Sequence, residues 1–413
     1  MDWPFLEQLE ADHGDAFYLL DLPAFRRNFN GFLSAFRAIY ANTSLGYSYK
    51  TNYVPQLCRA AFDQGAYAEV VSSLEYDLAL RLGIPADRII FNGPAKENSY
   101  LEKALLAGSL VNVDSLEETE TAVQCLKSHD DRPFGVGVRC NFSVGDTPRS
   151  RFGIDIENGD IQTAVSQLRA LDHVTVAGLH CHFSWDRSAA AFAQRAEKMS
   201  ELCDRLFPHD PPGFVDIGGG FCGPMEDDLK AQFSYQVPTF DEYAEAVAPR
   251  FAERFGSHSQ VELILEPGMG LISDVMNFVC RIASTKDIGG RHHAITTGSI
   301  YNIKPTLNKL NLPLRVVHQP MKGRPSAAGW DVSGYTCMEI DIMYRDYLGS
   351  LRTGDYLIFS NVGAYTVVLQ PPFIKAAPAI LSIDDEGGVE VVRRAETLAD
   401  VLATYGEQIS RPD

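Results

Sequence analysis

Four residues in this chain have types and surroundings suited to covalent and proton chemistry: Lys50, His182, Glu266 and Cys337. Lys50 follows the apolar and aromatic run Leu45–Tyr49, which reads as a buried strand. A lysine at the end of such a strand is partly desolvated, which lowers its pKa and suits it to Schiff-base chemistry. Glu266 opens Glu266-Pro267-Gly268, again after an apolar run. A carboxylate buried there needs a cationic partner, and a protonated pyridine nitrogen would serve, as would a neighbouring arginine. In Gly178-Leu179-His180-Cys181-His182, alternation places both histidines on one face. They could ligate a metal, but no further His, Cys or carboxylate at suitable spacing completes a site, so none is expected. An imidazole stacked on a cofactor ring is the better functional reading. Asp216-Ile217-Gly218-Gly219-Gly220 ends a strand in three glycines, whose backbone N–H groups can approach a phosphate closely.

Each feature alone has a plain structural explanation. Lys50 could be a solvated strand-end lysine, the glycines a flexible turn, Cys337 and Tyr365 ordinary core residues.

The elements that must position these residues change that balance. Short apolar runs at Leu45–Tyr49, Tyr67–Val71, Ile89–Asn92, Leu110–Val113, Gly135–Cys140, Thr175–Cys181, Phe214–Ile217 and Glu262–Leu265 alternate with helical patterns. Eight strand–helix units predict a (β/α)8 barrel, with a doubly wound sheet as the competing layout. Barrel active sites form at the carboxyl ends of the strands. The residues following these strands are Lys50, Ser72, Gly93, Asp114, Asn141, His182, the glycine triplet and Glu266, so the candidates converge on one rim. From about Arg281 the texture becomes strand-like, with runs at Tyr356–Ser360, Thr366–Leu369 and Val389–Val392 and a closing helix over Leu398–Ile409. The expected division is a barrel over residues 24–280 and a mainly β domain from 1–23 and 281–413, which the Ala16–Leu22 strand joins.

The chain has 413 residues and a net charge of −18, which argues against a nucleic-acid partner. No apolar run is long enough to span a bilayer, and the acidic N-terminus does not read as a signal peptide. The eight cysteines form no Cys-x-x-Cys pair, consistent with reduced thiols and a cytoplasmic location.

Taken together, these stretches resemble the fold-type III pyridoxal-phosphate (PLP) decarboxylases, the diaminopimelate, ornithine and arginine decarboxylase family. The resemblance runs from Phe17 to about Phe373. It is carried by Tyr49-Lys50-Thr51-Asn52, Val70-Val71-Ser72, Phe91-Asn92-Gly93-Pro94-Ala95-Lys96, Ser150-Arg151-Phe152-Gly153, Gly178 to His182, Asp216 to Gly220, Glu266-Pro267-Gly268, Thr336-Cys337 and Gly363-Ala364-Tyr365. It implies an α/β fold, a (β/α)8 TIM barrel of alanine-racemase type with a C-terminal, mainly β, Greek-key-like domain. It further implies that Lys50 holds PLP as a Schiff base, His182 stacks on its ring and Glu266 keeps the pyridine nitrogen protonated. Gly219, Gly220, Gly268 and Tyr365 would bind the cofactor, chiefly its phosphate. Cys337 would reach in from the second subunit of a homodimer and donate a proton at Cα.

The chain departs from the family pattern at several positions. Met269 stands where an arginine usually follows Glu-Pro-Gly, and Met338 where an acid usually follows the cysteine, with Glu339 one place later. Trp185 occupies a position usually held by serine, and Lys304 stands where diaminopimelate enzymes carry arginine. Tyr335, Lys304, Glu339 and Met269 are therefore the expected substrate contacts. The expected activity is α-decarboxylation of an amino acid or amino-acid conjugate other than diaminopimelate or ornithine, as in siderophore or secondary-metabolite biosynthesis. The alternatives are a racemase or epimerase on the same fold, with Cys337 as second base, and an inactive partner-binding homologue.

Overall fold

The computed structural model describes residues 1–145, 147–256, 260–306, 309–320, 328–384 and 387–406. They form two compact units. One comprises Phe25–Pro224 and Phe233–Ile272, the other Met1–Ala24, Met225–Gln232 and the chain from Ser273 onward.

The first unit is the closed parallel barrel. Its strands are Thr43–Ser48, Tyr67–Val70, Ile89–Phe91, Leu110–Val113, Phe134–Asn141, Val174–His180, Phe214–Asp216 and Glu262–Leu265. Each pairs in parallel with its neighbour, and Glu262–Leu265 returns to Thr43–Ser48, which closes the ring and excludes the open doubly wound sheet. The strands are apolar on both faces because helices cover the outside while side chains fill the inside. Several of those helices start on a hydroxyl cap: Ser72, Ser115, Ser188 and Thr239 accept the N–H of Glu75, Glu118, Ala191 and Glu242.

Outside the barrel, Phe32, Phe192, Phe221, Phe240 and Tyr243 form one aromatic cluster, with Phe221 4.1 Å from Phe192 and 4.9 Å from Phe32 between ring centroids. Phe221 follows Gly220 directly, so this packing anchors the glycine turn. Burying one such ring contributes about 1.5–3 kcal/mol.

The second unit is built on a nine-stranded mixed sheet. Ala16–Leu20 lies inside it, antiparallel to Met276–Ile288 and parallel to Ala379–Ile383. The strand Met276–Ile288 spans the position at which the domain change is expected from sequence. Thr366–Leu369, expected as a strand, is instead a turn region. Asn361 and Tyr365 both adopt left-handed backbone conformations, and Thr366 Oγ1 donates to the Val362 carbonyl at 2.6 Å, which coils the segment. Such conformations cost on the order of 1–3 kcal/mol per non-glycine residue. The closing helix covers Leu398–Leu402, and 407–409 of its expected span lie outside the described residues. The helix Trp3–His13 is an unexpected addition, started by the Asp2 cap on Phe5 N–H. No described helix is long and apolar enough to cross a membrane.

Candidate active site

Lys50 sits one residue beyond the expected strand end, in a single helical turn over Tyr49–Thr51. Its Nζ donates to Ser48 Oγ at 2.7 Å and pairs closely with Glu69 Oε2, to which Ser48 Oγ also donates. Glu69 comes from the next barrel strand and is buried. Asn92, just past the third strand, donates through Nδ2 to Glu69 Oε1 at 3.1 Å and to Glu266 Oε1 at 2.6 Å. Asn112 Nδ2 in turn donates to Asn92 Oδ1 at 2.8 Å, fixing the orientation of that amide. One continuous polar chain thus runs from the Lys50 amine to the Glu266 carboxylate across four strands.

Glu266 is buried beside His180, whose Nε2 lies 3.4 Å from Oε2. Burial pushes the Glu266 carboxyl up, but His180 and Lys50 outweigh it and hold the group well below the usual carboxylate range. Asp216 goes the other way: complete burial, then the adjoining Glu266 charge, pushes its carboxyl well up. His180, Asp216 and Glu266 place one ligand atom each within 4.8 Å of one another, a grouping that sequence spacing does not suggest. Linear spacing misses the cluster because its members come from three adjacent parallel strands.

His182 does not share that cluster. It lies beyond the strand, half-buried, and its Nδ1 accepts the Gly219 N–H at 2.9 Å while Nε2 meets Ser184 Oγ at 3.2 Å. Burial, then Lys50 and Arg139, hold its pKa well below the ordinary value, so the ring is neutral with its proton on Nε2. The glycine turn is packed against the same groups. A Cβ at Gly218 would collide with the Cys181 carbonyl, and one at Gly219 with the Glu266 carbonyl. Gly220 has φ +104°, a conformation L side chains rarely adopt. Gly268 lies so close to Thr51 and Ser48 that a side chain would displace the Lys50 turn. Met269, next to it, is half-buried with Sδ 3.1 Å from Arg187 Nη1.

Two further ties position the rim. Arg139 pairs with Asp114 at 2.8 Å, and Asp114 with Asn141 holds the Ser150–Gly153 loop through backbone contacts at 2.7–3.1 Å. Lys96 is buried and donates to the Gly93 and Asn112 carbonyls and to Glu118, joining the third and fourth strand ends.

The remaining candidates belong to the second unit. Cys337, Met338 and Glu339 are exposed on a loop pinned by Asp341, whose carboxylate accepts the Thr336 and Ile300 N–H groups at 3.1 and 2.7 Å. Tyr335 is half-buried and donates to the Phe373 carbonyl at 3.4 Å. Tyr365 sits in the left-handed turn already described. Lys304 is buried with Nζ on the Leu310 carbonyl, and burial followed by Arg345 pushes its pKa down to about 7. Glu69, Asn92 and Asp341 are the groups that sequence reading misses; Glu69 carries a usable signal, an acid in the middle of the otherwise apolar Tyr67–Val71 run.

A lysine amine, an ionised buried carboxylate, a neutral imidazole and a turn closed to side chains suit a pyridine aldehyde phosphate: each polar part of that molecule has a chemically matched group on this rim. The class is therefore a barrel enzyme that works through an aldehyde cofactor. The family follows from comparison with known proteins: residues 24–273, more than half the chain, match the pyridoxal binding domain of the pyridoxal-dependent decarboxylases, and the chain belongs to that family. Its cofactor is pyridoxal phosphate and its reaction class is carboxy-lyase. Among curated relatives, diaminopimelate decarboxylase of Methanocaldococcus jannaschii is 24% identical over 96% of this chain and 92% of the relative. That of Bacillus subtilis is 26% identical over 95% and 92%. Among solved structures, the M. jannaschii enzyme in complex with L-lysine superposes with TM-score 0.84 at 22% identity, covering 96% of this chain and 93% of that one. The lysine/ornithine decarboxylase of Vibrio vulnificus complexed with putrescine gives 0.76 at 21%, covering 92% and 98%. The barrel with its sheet-rich second unit is the alanine-racemase-like fold of these structures.

Proposed function

We propose that the protein removes the α-carboxylate of an amino acid, or amino-acid conjugate, whose distal end differs from those of diaminopimelate and ornithine. The observation that carries the reading is the unbroken polar chain from Lys50 through Glu69 and Asn92 to Glu266. Pyridoxal phosphate, when bound, supplies the electron sink for the pair of electrons released as CO2 departs. Lys50 Nζ is the amine that holds it, and Glu69 Oε2 accepts the proton that amine must shed to become nucleophilic. Glu266, kept ionised beside His180 and oriented by Asn92, supplies the negative charge that a ring nitrogen needs to stay protonated. The neutral His182 ring, held by Gly219 N–H, offers a flat face without placing a second cation beside Lys50.

Two departures favour an unusual substrate. Position 338 carries a thioether, and Lys304 is poorly suited to give a distal carboxylate a permanent positive charge because its pKa falls to about 7. Measuring CO2 release from a panel of amino acids and conjugates tests this: efficient turnover of diaminopimelate or ornithine contradicts it.

The active form is a homodimer in which the partner's copy of residue 337 completes each barrel site. The exposed stretch Cys337–Ile340, with Met338 and Ile340 presenting apolar surface, supports that arrangement. Mixing inactive Lys50→Ala and Cys337→Ala chains should restore about a quarter of wild-type turnover through hybrid dimers; no recovery contradicts it. We further assign the enzyme to the cytoplasm on its reduced cysteines, a localisation that imaging of the tagged full chain would test.

A further inference from the structure

Arg187 is a half-buried cation that no acid among the described residues neutralises. It lies between the Val174–His180 strand and the Ala189–Leu206 helix, and its carbonyl is fixed by Tyr243 Oη at 2.7 Å. Among the described residues its guanidinium makes one side-chain contact, Nη1 to Met269 Sδ at 3.1 Å, and no carboxylate lies within ion-pair distance. A guanidinium carries five donors, and a thioether is a weak acceptor, so nearly all its hydrogen-bonding capacity is unspent. A half-buried guanidinium with unspent donors is chemically suited to an anion.

The surroundings say which anion. Arg195, fully buried, donates to the Gly219 carbonyl at 3.0 Å and to the Phe183 and Asp186 carbonyls at 2.9 Å each. One guanidinium therefore clamps the loop bearing Arg187 onto the glycine turn. On its other side Arg187 reaches Met269, the neighbour of Gly268, which abuts the Lys50 turn. The Gly220 N–H, at the same turn, donates to no protein acceptor among the described residues. An unspent backbone N–H in the glycine turn and an unspent guanidinium on the loop clamped to that turn match a phosphate dianion.

We propose that Arg187 is the side-chain cation that binds the cofactor phosphate, reaching it from the sixth barrel strand's loop, with the Met269 thioether as the seat for its guanidinium. This rests on the pyridoxal-phosphate reading above and adds a residue to it. Position 269 can be a methionine because the positive charge arrives from residue 187 instead.

The test is equilibrium titration with pyridoxal phosphate and, separately, with pyridoxal, which lacks the phosphate, followed by protein fluorescence and visible absorbance. Arg187→Met should weaken pyridoxal phosphate binding about tenfold or more, the effect expected for losing a charge-assisted contact, and leave pyridoxal within about twofold. Adding Met269→Arg to Arg187→Met should recover most of the phosphate-dependent affinity. Equal weakening of both ligands would assign Arg187 a purely structural role and overturn the proposal, as would unchanged affinity in Arg187→Met. A wild-type protein that binds neither ligand would overturn this inference together with the function it rests on, whereas tight wild-type binding indifferent to Arg187 would remove the inference alone.

Discussion

Lys50 and Glu266 hold the opposite charges of the site, and neighbours on other strands set both. Glu69 and Ser48 fix the amine, while His180 and Asn92 fix the carboxylate. Glu266→Gln keeps the shape and one acceptor oxygen but removes the charge. It should leave cofactor binding detectable and lower kcat at least about a hundredfold, the scale of losing one oriented electrostatic contact; a loss of only a few-fold, measured with cofactor saturating, contradicts the role assigned here. Lys50, His182 and Glu266 are legible in sequence because each follows an apolar run, and the position after a barrel strand is where chemistry is placed. Their partners are not legible. Asp216 and His180 look like a turn acid and a candidate metal ligand until the parallel register sets them opposite each other. The Arg187–Met269 contact likewise joins residues 82 apart in the chain.

At the scale of elements, the βα turns are held by hydroxyl caps whose acidic third residue reaches backward. Glu75 Oε2 accepts the Val71 N–H at 2.8 Å and Glu118 Oε2 the Asp114 N–H at 2.7 Å, so each carboxylate ties a helix to the strand before it. The pattern is visible as Ser72-x-x-Glu75, Ser115-x-x-Glu118 and Thr239-x-x-Glu242. Glu75 meets this duty at a buried position, and burial, partly offset by the Val71 N–H, raises its pKa from 4.5 to about 7. A carboxyl whose folded-state pKa is raised favours folding below its unfolded pKa and loses that contribution as pH rises through its folded pKa. Wild-type stability should therefore decline between about pH 4.5 and pH 7 from this group. Glu75→Gln, whose amide oxygen still accepts from Val71, lacks that decline, so urea midpoints should move in its favour between about pH 5 and pH 8; parallel curves for the two proteins contradict the assignment. The Thr366–Leu369 turn shows the opposite limit of legibility. Its β-branched residues read as a strand, but left-handed Asn361 and Tyr365 bend the chain, and nothing in residue type announces that at a tyrosine.

For the whole molecule, the barrel is readable because eight strand–helix units repeat locally, each crossover carrying its own helix. The second unit is less so: its sheet assembles Ala16–Leu20, Met276–Ile288 and Ala379–Ile383, from both ends of the chain, and only the first is suggested by sequence to join from a distance. The central proposal is that the barrel rim of this decarboxylase-family chain holds pyridoxal phosphate on Lys50. The most direct measurement is a titration of the purified full chain with pyridoxal phosphate, read by visible absorbance before and after borohydride, alongside Lys50→Ala. The account predicts the visible band that the cofactor acquires on a lysine amine, a borohydride product locating its mass on the peptide containing Lys50, and neither in the variant. A wild type that remains colourless with added cofactor, or a Lys50→Ala protein that is labelled equally well, would contradict it.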